Sequence, residues 1–297
     1  MILEVSATLA CVWTLRSLAH RAILQGLRAP RLEHSLASDH PGVEAEWMHE
    51  VRIPGKNTKN LAGWLVSPPD QMRKPAPAVL VMHGWGANVA SLWPVVPPLH
   101  RAGFAVLLID ARCHGSSDGE AFTSMPRFAE DVASGLAWLK LQPWIATDRL
   151  ALIGHSVGAA ASLLHASRQH DVRAVVSLSS FAHPREVMRA LMAEKRVPYL
   201  VVGWYVMRHV QRVIGATFDE IAPVNTIAHV RCPTLVVHGQ ADTVVPVCDA
   251  SRLVSRNPRA RLLCVDGGHD LREALAPHSE TVVEFLRTAC RARKVSQ

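Results

Sequence analysis

The chain has 297 residues, of which 49% are hydrophobic and 19% are charged. This composition is typical of a globular protein and excludes wholesale disorder. The net charge of +7 comes from basic residues spread thinly along the chain, so we expect no nucleic-acid partner. The six cysteines lie far apart without a CxxC or Cys/His ligand spacing, which predicts neither a disulfide framework nor a metal site and favours a cytoplasmic location.

Residues 1–27 contain an apolar stretch that Glu4 interrupts and that basic residues follow rather than precede. The stretch is too short for a membrane span, and its charges have the wrong order for a secretory signal. Two alternatives stay open: an amphipathic helix that packs on the domain, or one that makes weak contact with a membrane surface. A polar, proline-bearing linker follows, so the sequence predicts an N-terminal helix and linker over residues 1–45.

Residues 46–297 alternate between strand-like and helix-like patterns, which predicts the α/β fold class. A hairpin over residues 47–67 precedes continuous apolar runs of the kind that buried parallel strands require. The predicted parallel strands are 78–82, 104–109, 150–153, 174–178, 234–237 and 261–265, and the predicted helices between and after them are 90–102, 126–141, 157–166, 247–254 and 277–292. We expect one domain with a mostly parallel sheet and helices on both faces.

About fifty residues after the strand at 174–178 contain no further strand pattern. They include two helix-like stretches, 185–195 and 199–214, and the second is strongly apolar. Long insertions after a core strand commonly cover an active site. The sequence therefore predicts a helical lid over residues 181–230 with an apolar inner face; the alternative is that these are ordinary helices that fill a larger core.

A Gly-x-Ser-x-Gly pattern, Gly154-His-Ser-Val-Gly158, lies between the apolar run 150–153 and an Ala-rich helical stretch. A strand that turns sharply into a helix at such a pattern presents the serine hydroxyl at the end of the strand. Small residues are needed on both sides because a β-carbon would collide with the tight turn. Ser156 is therefore a candidate nucleophile.

A serine nucleophile needs a base, and the base needs an acid that orients it. His269 follows the last predicted strand, directly after the two glycines of Gly267-Gly-His-Asp270, and Asp242 follows the strand before it. Both therefore lie in loops at the same edge of the sheet as Ser156. Asp266 and Asp270 are alternatives for the acid, but they are less suited to reach the far ring nitrogen of His269.

An oxyanion formed at the substrate carbonyl needs two N–H donors. We expect the backbone N–H of Val157, directly after the nucleophile, and that of Trp85 in the loop His83-Gly-Trp-Gly86. His155 is expected to pack rather than to act as a base. The stretch from Asp110 to Gly119 fits no metal template, and there we expect Asp110 to organise the loop by hydrogen bonds, with Arg112 as its partner.

Five ordered patterns, HGWG, DARCHGSSDG, GHSVG, HGQADTVVP and GGHD, resemble those of the α/β-hydrolase superfamily. Within it, they are similar to bacterial prolyl-oligopeptidase-like and acyl-CoA thioesterase-like hydrolases. The resemblance implies Ser156 as nucleophile, His269 as base, Asp242 as orienting acid, and Trp85 and Val157 at the oxyanion hole. Cys113 stands where these patterns commonly have glycine.

The sequence thus predicts a serine hydrolase of carboxylic esters or thioesters that forms an acyl-enzyme and needs neither cofactor nor metal. Its substrate is expected to be a small molecule with a hydrophobic acyl group. The triad does not choose between water, amines and alcohols as acceptors, so a peptidase and an acyltransferase are alternatives. A binding protein without catalytic activity is a third.

Overall fold

The computed structural model describes residues 2–32, 42–69 and 75–291. Part of the predicted N-terminal linker, residues 33–41, lies outside the described residues, as does residue 292 at the end of the last predicted helix. Within these ranges the chain builds one eight-stranded sheet with helices on both faces.

The order of the strands across the sheet is β1-β2-β4-β3-β5-β6-β7-β8. The first pair is an antiparallel hairpin, and β2 also pairs antiparallel with β4. From β4 onwards every pairing is parallel. The strands are β1 (Met48–Pro54), β2 (Asn60–Val66), β3 (Ala76–Met82), β4 (Ala105–Ile109), β5 (Ile145–His155), β6 (Ala174–Leu178), β7 (Thr234–Gly239) and β8 (Ala260–Val265).

Alternate residues of the central strands pack into two separate apolar layers. Leu80 and Met82 of β3 face one layer, and Val79 and Val81 face the other. Both layers exclude water, which is why these strands read as continuous apolar runs. The α-helices are α1 (Ile2–Gly26), α2 (Val96–Arg101), α3 (Met125–Lys140), α4 (Val157–Gln169), α5 (Pro184–Glu194), α6 (Trp204–Ile214), α7 (Phe218–Ile221), α8 (Pro223–Thr226), α9 (Cys248–Val254) and α10 (Ser279–Ala289).

The helix predicted over residues 90–102 is divided in the structure. A 3₁₀ helix covers Val89–Val95 and continues into α2. Pro94 lies inside the first segment, and two further prolines occupy the start of the second. Proline supplies no backbone N–H and restricts the residue before it, which disfavours one continuous α-helix.

The stretch predicted as a lid forms four α-helices, α5 to α8, with a π-helical turn at Tyr199–Gly203 and a 3₁₀ helix at Ile227–His229. Much of its apolar content packs on the core through buried side chains: Met192, Met207, Val210, Phe218 and Ile221. Leu200 and Trp204 stay exposed on the outside. At its beginning, the backbone N–H of Ala182 donates to the buried carboxylate of Asp249 over 2.8 Å.

The N-terminal helix α1 packs on α6, where the rings of His20 and His209 approach to 2.9 Å between Nδ1 and Nε2. None of the helices in the described residues has the length and apolarity needed to cross a bilayer. The helix is thus seen in contact with the domain, which is the first of the two alternatives raised by the sequence.

A fully buried arginine ties α3 to the loop after β4. Asp131 accepts hydrogen bonds from the Nε of Arg112 over 2.6 Å and from its backbone N–H over 2.8 Å. The carboxylates of Glu130 and Glu120 form ion pairs with the terminal nitrogens of Arg112. The partners of Arg112 are therefore carboxylates of α3 and its own loop, which corrects the expectation that it would pair with Asp110.

We predict that Asp131→Ala lowers the free energy of unfolding by about 3–5 kcal/mol, because it leaves a buried guanidinium without its main partner. Urea denaturation followed by circular dichroism measures this loss. Asp148→Ala is the matched control, since Asp148 is exposed and only reaches Arg173 over 3.4 Å. Equal losses for the two variants would contradict the structural role given to Arg112.

Candidate functional site

Ser156 lies at the turn between β5 and α4 with φ 53° and ψ −116°, a conformation that residues with a β-carbon rarely adopt. A β-carbon on Gly154 would collide with the backbone of Gly158, and one on Gly158 would collide with the carbonyl of His83. Both glycines are thus required by the close approach of α4 to β5 and β3. The strained turn points to a functional use of the serine.

Three side chains predicted for the site come together in one hydrogen-bonded series. The hydroxyl of Ser156 donates to Nε2 of His269 over 3.1 Å, and Nδ1–H of His269 donates to Oδ2 of Asp242 over 2.8 Å. A carboxylate only accepts hydrogen bonds, so the proton of the neutral ring is on Nδ1. This leaves Nε2 as a base facing the serine.

The carboxylate of Asp242 is completely buried and is surrounded by donors. Its Oδ1 accepts the backbone N–H groups of Val244 and Val245 over 2.9 and 2.8 Å. Its Oδ2 lies 3.2 Å from Nε2 of His238, which also lies 3.0 Å from the carbonyl of Val245. The two backbone N–H groups and Nδ1–H of His269 compensate for burial of the negative charge.

Asp270, which the sequence offered as an alternative to Asp242, pairs with Arg272 instead. Its carboxylate accepts hydrogen bonds from the guanidinium of Arg272, with Nε at 2.8 Å from Oδ2. Asp110 organises its loop as expected, since its carboxylate accepts the backbone N–H groups of Val89 and Ser116, each over 2.9 Å. Neither aspartate joins the series that ends at Ser156.

The two predicted oxyanion donors lie beside the serine turn and in the loop after β3. Val157 is the first residue of α4, a position whose N–H has no intrahelical acceptor. In the other loop, the N–H of Gly86 donates to Nε2 of His114 over 3.1 Å, and that of Ala87 to the carbonyl of Gly84. Neither bond uses the N–H of Trp85.

Two buried histidines hold this loop in place. Nδ1–H of His83 donates to the carbonyl of Gly84 over 2.7 Å, while its Nε2 accepts the backbone N–H of Ala111. His114 accepts from Gly86 and donates through Nδ1–H to the carbonyl of Arg112. Each ring must be neutral to keep its acceptor nitrogen. Burial, reinforced by the neighbouring His83, lowers the pKa of His114 to about 4.

His155, within the serine turn, serves a different loop. Its Nε2–H donates to the backbone carbonyl of His269 over 2.8 Å. Burial lowers the pKa of His155, which keeps the ring neutral. His155 therefore connects the serine turn to the loop that carries His269.

A cleft of about 400 Å³ opens beside His269, and we name it the His269 cleft. Its described lining residues are Leu32, Trp85–Asn88, Ala90–Leu92, Pro94, Val95, His155, Leu178, His269–Arg272 and Leu275. None of these belongs to residues 181–230. The described residues contain no group of three or more potential metal ligands.

Sequence reasoning missed the histidines that support the site. His83, His114 and His238 each precede a glycine, at or near the end of a strand. The repeated His-Gly pair was a usable signal, because a histidine at a strand end can bond to neighbouring loops while the glycine permits a turn. Leu32 was also missed, since it lies outside every recognised pattern.

A family model described as serine aminopeptidase, S33, matches residues 73–219. The uncharacterized protein YfhR of Escherichia coli K12 is 29% identical over 232 residues, or 75% of this chain and 74% of YfhR. The esterase Pf2001 of Pyrococcus furiosus superposes with a TM-score of 0.70 at 21% identity, covering 89% of this chain and 98% of that one. Est1E of Butyrivibrio proteoclasticus, solved with bound ferulic acid, superposes with a TM-score of 0.65 at 18% identity, covering 80% and 98%.

The chain has the α/β-hydrolase fold, and its residues 73–219 match a family model of that superfamily. The resemblance seen in the five sequence patterns is thereby confirmed at the level of the superfamily and of the fold. The hydrolase carries its candidate site at the carboxyl ends of the parallel strands, where sheets of this kind bind their ligands.

We predict that the hydrolase loses stability as the pH falls from about 6.5 to 4. The pKa of His114 is lowered to about 4 in the folded protein but lies near 6.5 in the unfolded chain. Over this range the unfolded chain binds a proton that the folded protein does not, which costs up to about 3 kcal/mol. Urea denaturation at several pH values measures the slope.

His114→Gln should make this dependence on pH shallower, whatever it does to stability at pH 7. His49→Gln is the control, because His49 lies exposed on β1 and should leave the slope as in wild type. An unchanged slope in His114→Gln would show that His114 does not titrate as described.

Proposed function

We propose that the hydrolase cleaves carboxylic esters or thioesters through an acyl-enzyme formed on Ser156. The observation that carries the proposal is the series from the buried carboxylate of Asp242, through His269, to the hydroxyl of Ser156, at 2.8 and 3.1 Å. A base within hydrogen-bond distance of a serine, and itself oriented by an acid, is what serine activation requires.

In the proposed reaction, Nε2 of His269 takes the hydroxyl proton while Oγ of Ser156 attacks the carbonyl carbon. The N–H groups of Trp85 and Val157 stabilise the oxyanion. His269 then donates the proton to the leaving oxygen or sulfur, and the acyl group stays on the serine. Water, deprotonated by His269, releases the acid and restores the enzyme.

Asp242 keeps the ring of His269 in the orientation and tautomer that the reaction needs, and it stabilises the imidazolium formed on proton transfer. The donors around Asp242 hold its carboxylate in place. His238 is, in our proposal, a positioning residue that acts through Asp242 rather than on the substrate.

The substrate is proposed to be a small molecule with an apolar group, since apolar side chains make up most of the walls of the His269 cleft. The lid over residues 181–230 stays a prediction. Its helices lie between β6 and β7, and a cover over the site would have to approach from a side other than the His269 cleft.

A peptidase is the second candidate, because the matching family model is described as a serine aminopeptidase. An aminopeptidase must recognise the ammonium group of its substrate, for which a free carboxylate is the natural partner. Asp270 is the one acidic side chain among the described residues of the His269 cleft, and Arg272 already occupies it. We therefore favour the ester, and rates on p-nitrophenyl esters and aminoacyl p-nitroanilides compare the two.

We predict that Ser156→Ala abolishes turnover of p-nitrophenyl esters and labelling by a fluorophosphonate probe, because both need the serine oxygen. Far-ultraviolet circular dichroism should match wild type. Ser167→Ala is the matched control, since Ser167 lies on α4 and its hydroxyl only bonds the carbonyl of Leu164. Wild-type turnover by Ser156→Ala would refute the mechanism, and an unlabelled wild-type protein would favour a binding protein without catalytic activity.

We predict that His238→Phe lowers kcat about tenfold with little change in KM, because it removes the 3.2 Å contact with Asp242 and the hydrogen bond to the carbonyl of Val245, whose own N–H holds the acid. Steady-state kinetics on one p-nitrophenyl ester measures the two constants separately. His229→Phe, at an exposed position outside the site, should behave as wild type. A rise in KM at constant kcat would instead give His238 a role in substrate binding.

A further inference from the structure

The N-terminal segment Leu27–Leu32, which we name the strap, lies across the loop that carries Trp85. We propose that the strap is one wall of the substrate site and that Leu32 limits the length of the apolar group accepted by the His269 cleft. The inference rests on the proposed ester hydrolysis and adds to it the part of the chain that selects the substrate.

Four hydrogen bonds fasten the strap to the domain. They join the carbonyl of Leu27 to the N–H of Thr123 (3.0 Å), Nε of Arg28 to the carbonyl of Ala121 (3.2 Å), a terminal nitrogen of Arg31 to the carbonyl of Ser117 (2.7 Å), and Nδ2 of Asn88 to the carbonyl of Leu32 (3.1 Å). The bonds are spread over the whole strap, so it is held along its length rather than at one point.

The strap also packs directly on the loop with the proposed oxyanion donor. Gly86 follows Trp85 and has φ +69°, and a β-carbon on it would lie 2.9 Å from Cγ of Pro30. Glycine is therefore needed both for the backbone conformation and for the approach of the proline. The position of the strap and the position of the Trp85 N–H are coupled through this contact.

Leu32 is the residue of the strap that reaches the cleft. It is 54% exposed although it is apolar, and it shares the lining of the His269 cleft with Leu92, Leu271 and Leu275. An apolar chain that enters the cleft next to His269 would cover Leu32 and gain contact with the other leucines. Among the described lining residues, Arg272 and Asp270 are already paired with each other, so neither is left for a charged group of the substrate.

The group that enters the cleft is a hydrocarbon chain, and it can belong to either half of the ester. It is either the acyl chain of the ester or the chain of its alcohol. Two series of esters distinguish them: p-nitrophenyl esters of acids from acetate to dodecanoate, and acetates of alcohols of the same lengths. The series whose profile Leu32 variants alter contains the group that enters the cleft.

The test uses the full chain with Leu32→Ala, Leu32→Trp and the matched control Leu18→Ala. Leu18 is 55% exposed on α1, similar to Leu32, and is not among the lining residues of the cleft. Leu32→Ala should lower kcat/KM about tenfold for the best long ester, which is at the low end of the effects seen when a substrate loses an apolar contact. For the acetate, kcat/KM should fall less than about twofold. Leu32→Trp should move the optimum to shorter chains, and Leu18→Ala should keep the wild-type profile.

A binding measurement separates this inference from the proposed function. Calorimetric titration of Ser156→Ala with p-nitrophenyl octanoate and with octyl acetate needs no turnover. Adding Leu32→Ala should weaken binding of one of the two ligands about tenfold. If the wild-type protein cleaves no ester but Leu32→Ala still weakens binding, the reaction is wrong and the cleft assignment stands. If the Leu32 variants keep the wild-type profile in both series and bind as before, the strap does not select the substrate.

Discussion

The geometry of the candidate site depends above all on the buried charge of Asp242. A carboxylate with no exposure to water is stable only if donors surround it. Here two backbone N–H groups and the ring of His269 donate to it, and the ring of His238 lies 3.2 Å away. These groups come from the end of β7, the loop after it and the loop after β8. The burial of one charge therefore holds together the loops that bring His269 to Ser156.

A second set of contacts positions the loop after β3. Neutral His83 and His114 each use one nitrogen as donor and the other as acceptor, so they join the backbones of two neighbouring loops without adding charge. Burial suits the neutral form of these rings. The same feature makes the arrangement sensitive to acid, because a protonated ring has no acceptor left for the loop.

The two segments outside the regular alternation of strands and helices make different contacts. The insertion between β6 and β7 puts much of its apolar surface against the core, whereas the strap adds Leu32 to the His269 cleft. The sequence drew attention to the insertion because it is long and apolar. Fewer than ten residues of strap gave no comparable signal, and yet they touch the loop that carries the proposed oxyanion donor.

The sequence by itself determined the order of strands and helices, the serine turn, and Asp242 and His269 as residues of strand-end loops, because these depend on local pattern and on the rule that parallel strands end at one edge. Only the tertiary structure decided that His238 reaches Asp242, that Arg112 pairs with Asp131 and that Leu32 borders the cleft. Such contacts join residues that are distant in the chain or on loops of irregular shape. The alternation of apolar and polar residues along the chain does not predict such contacts. They depend on how side chains pack and how buried polar groups pair in the folded protein.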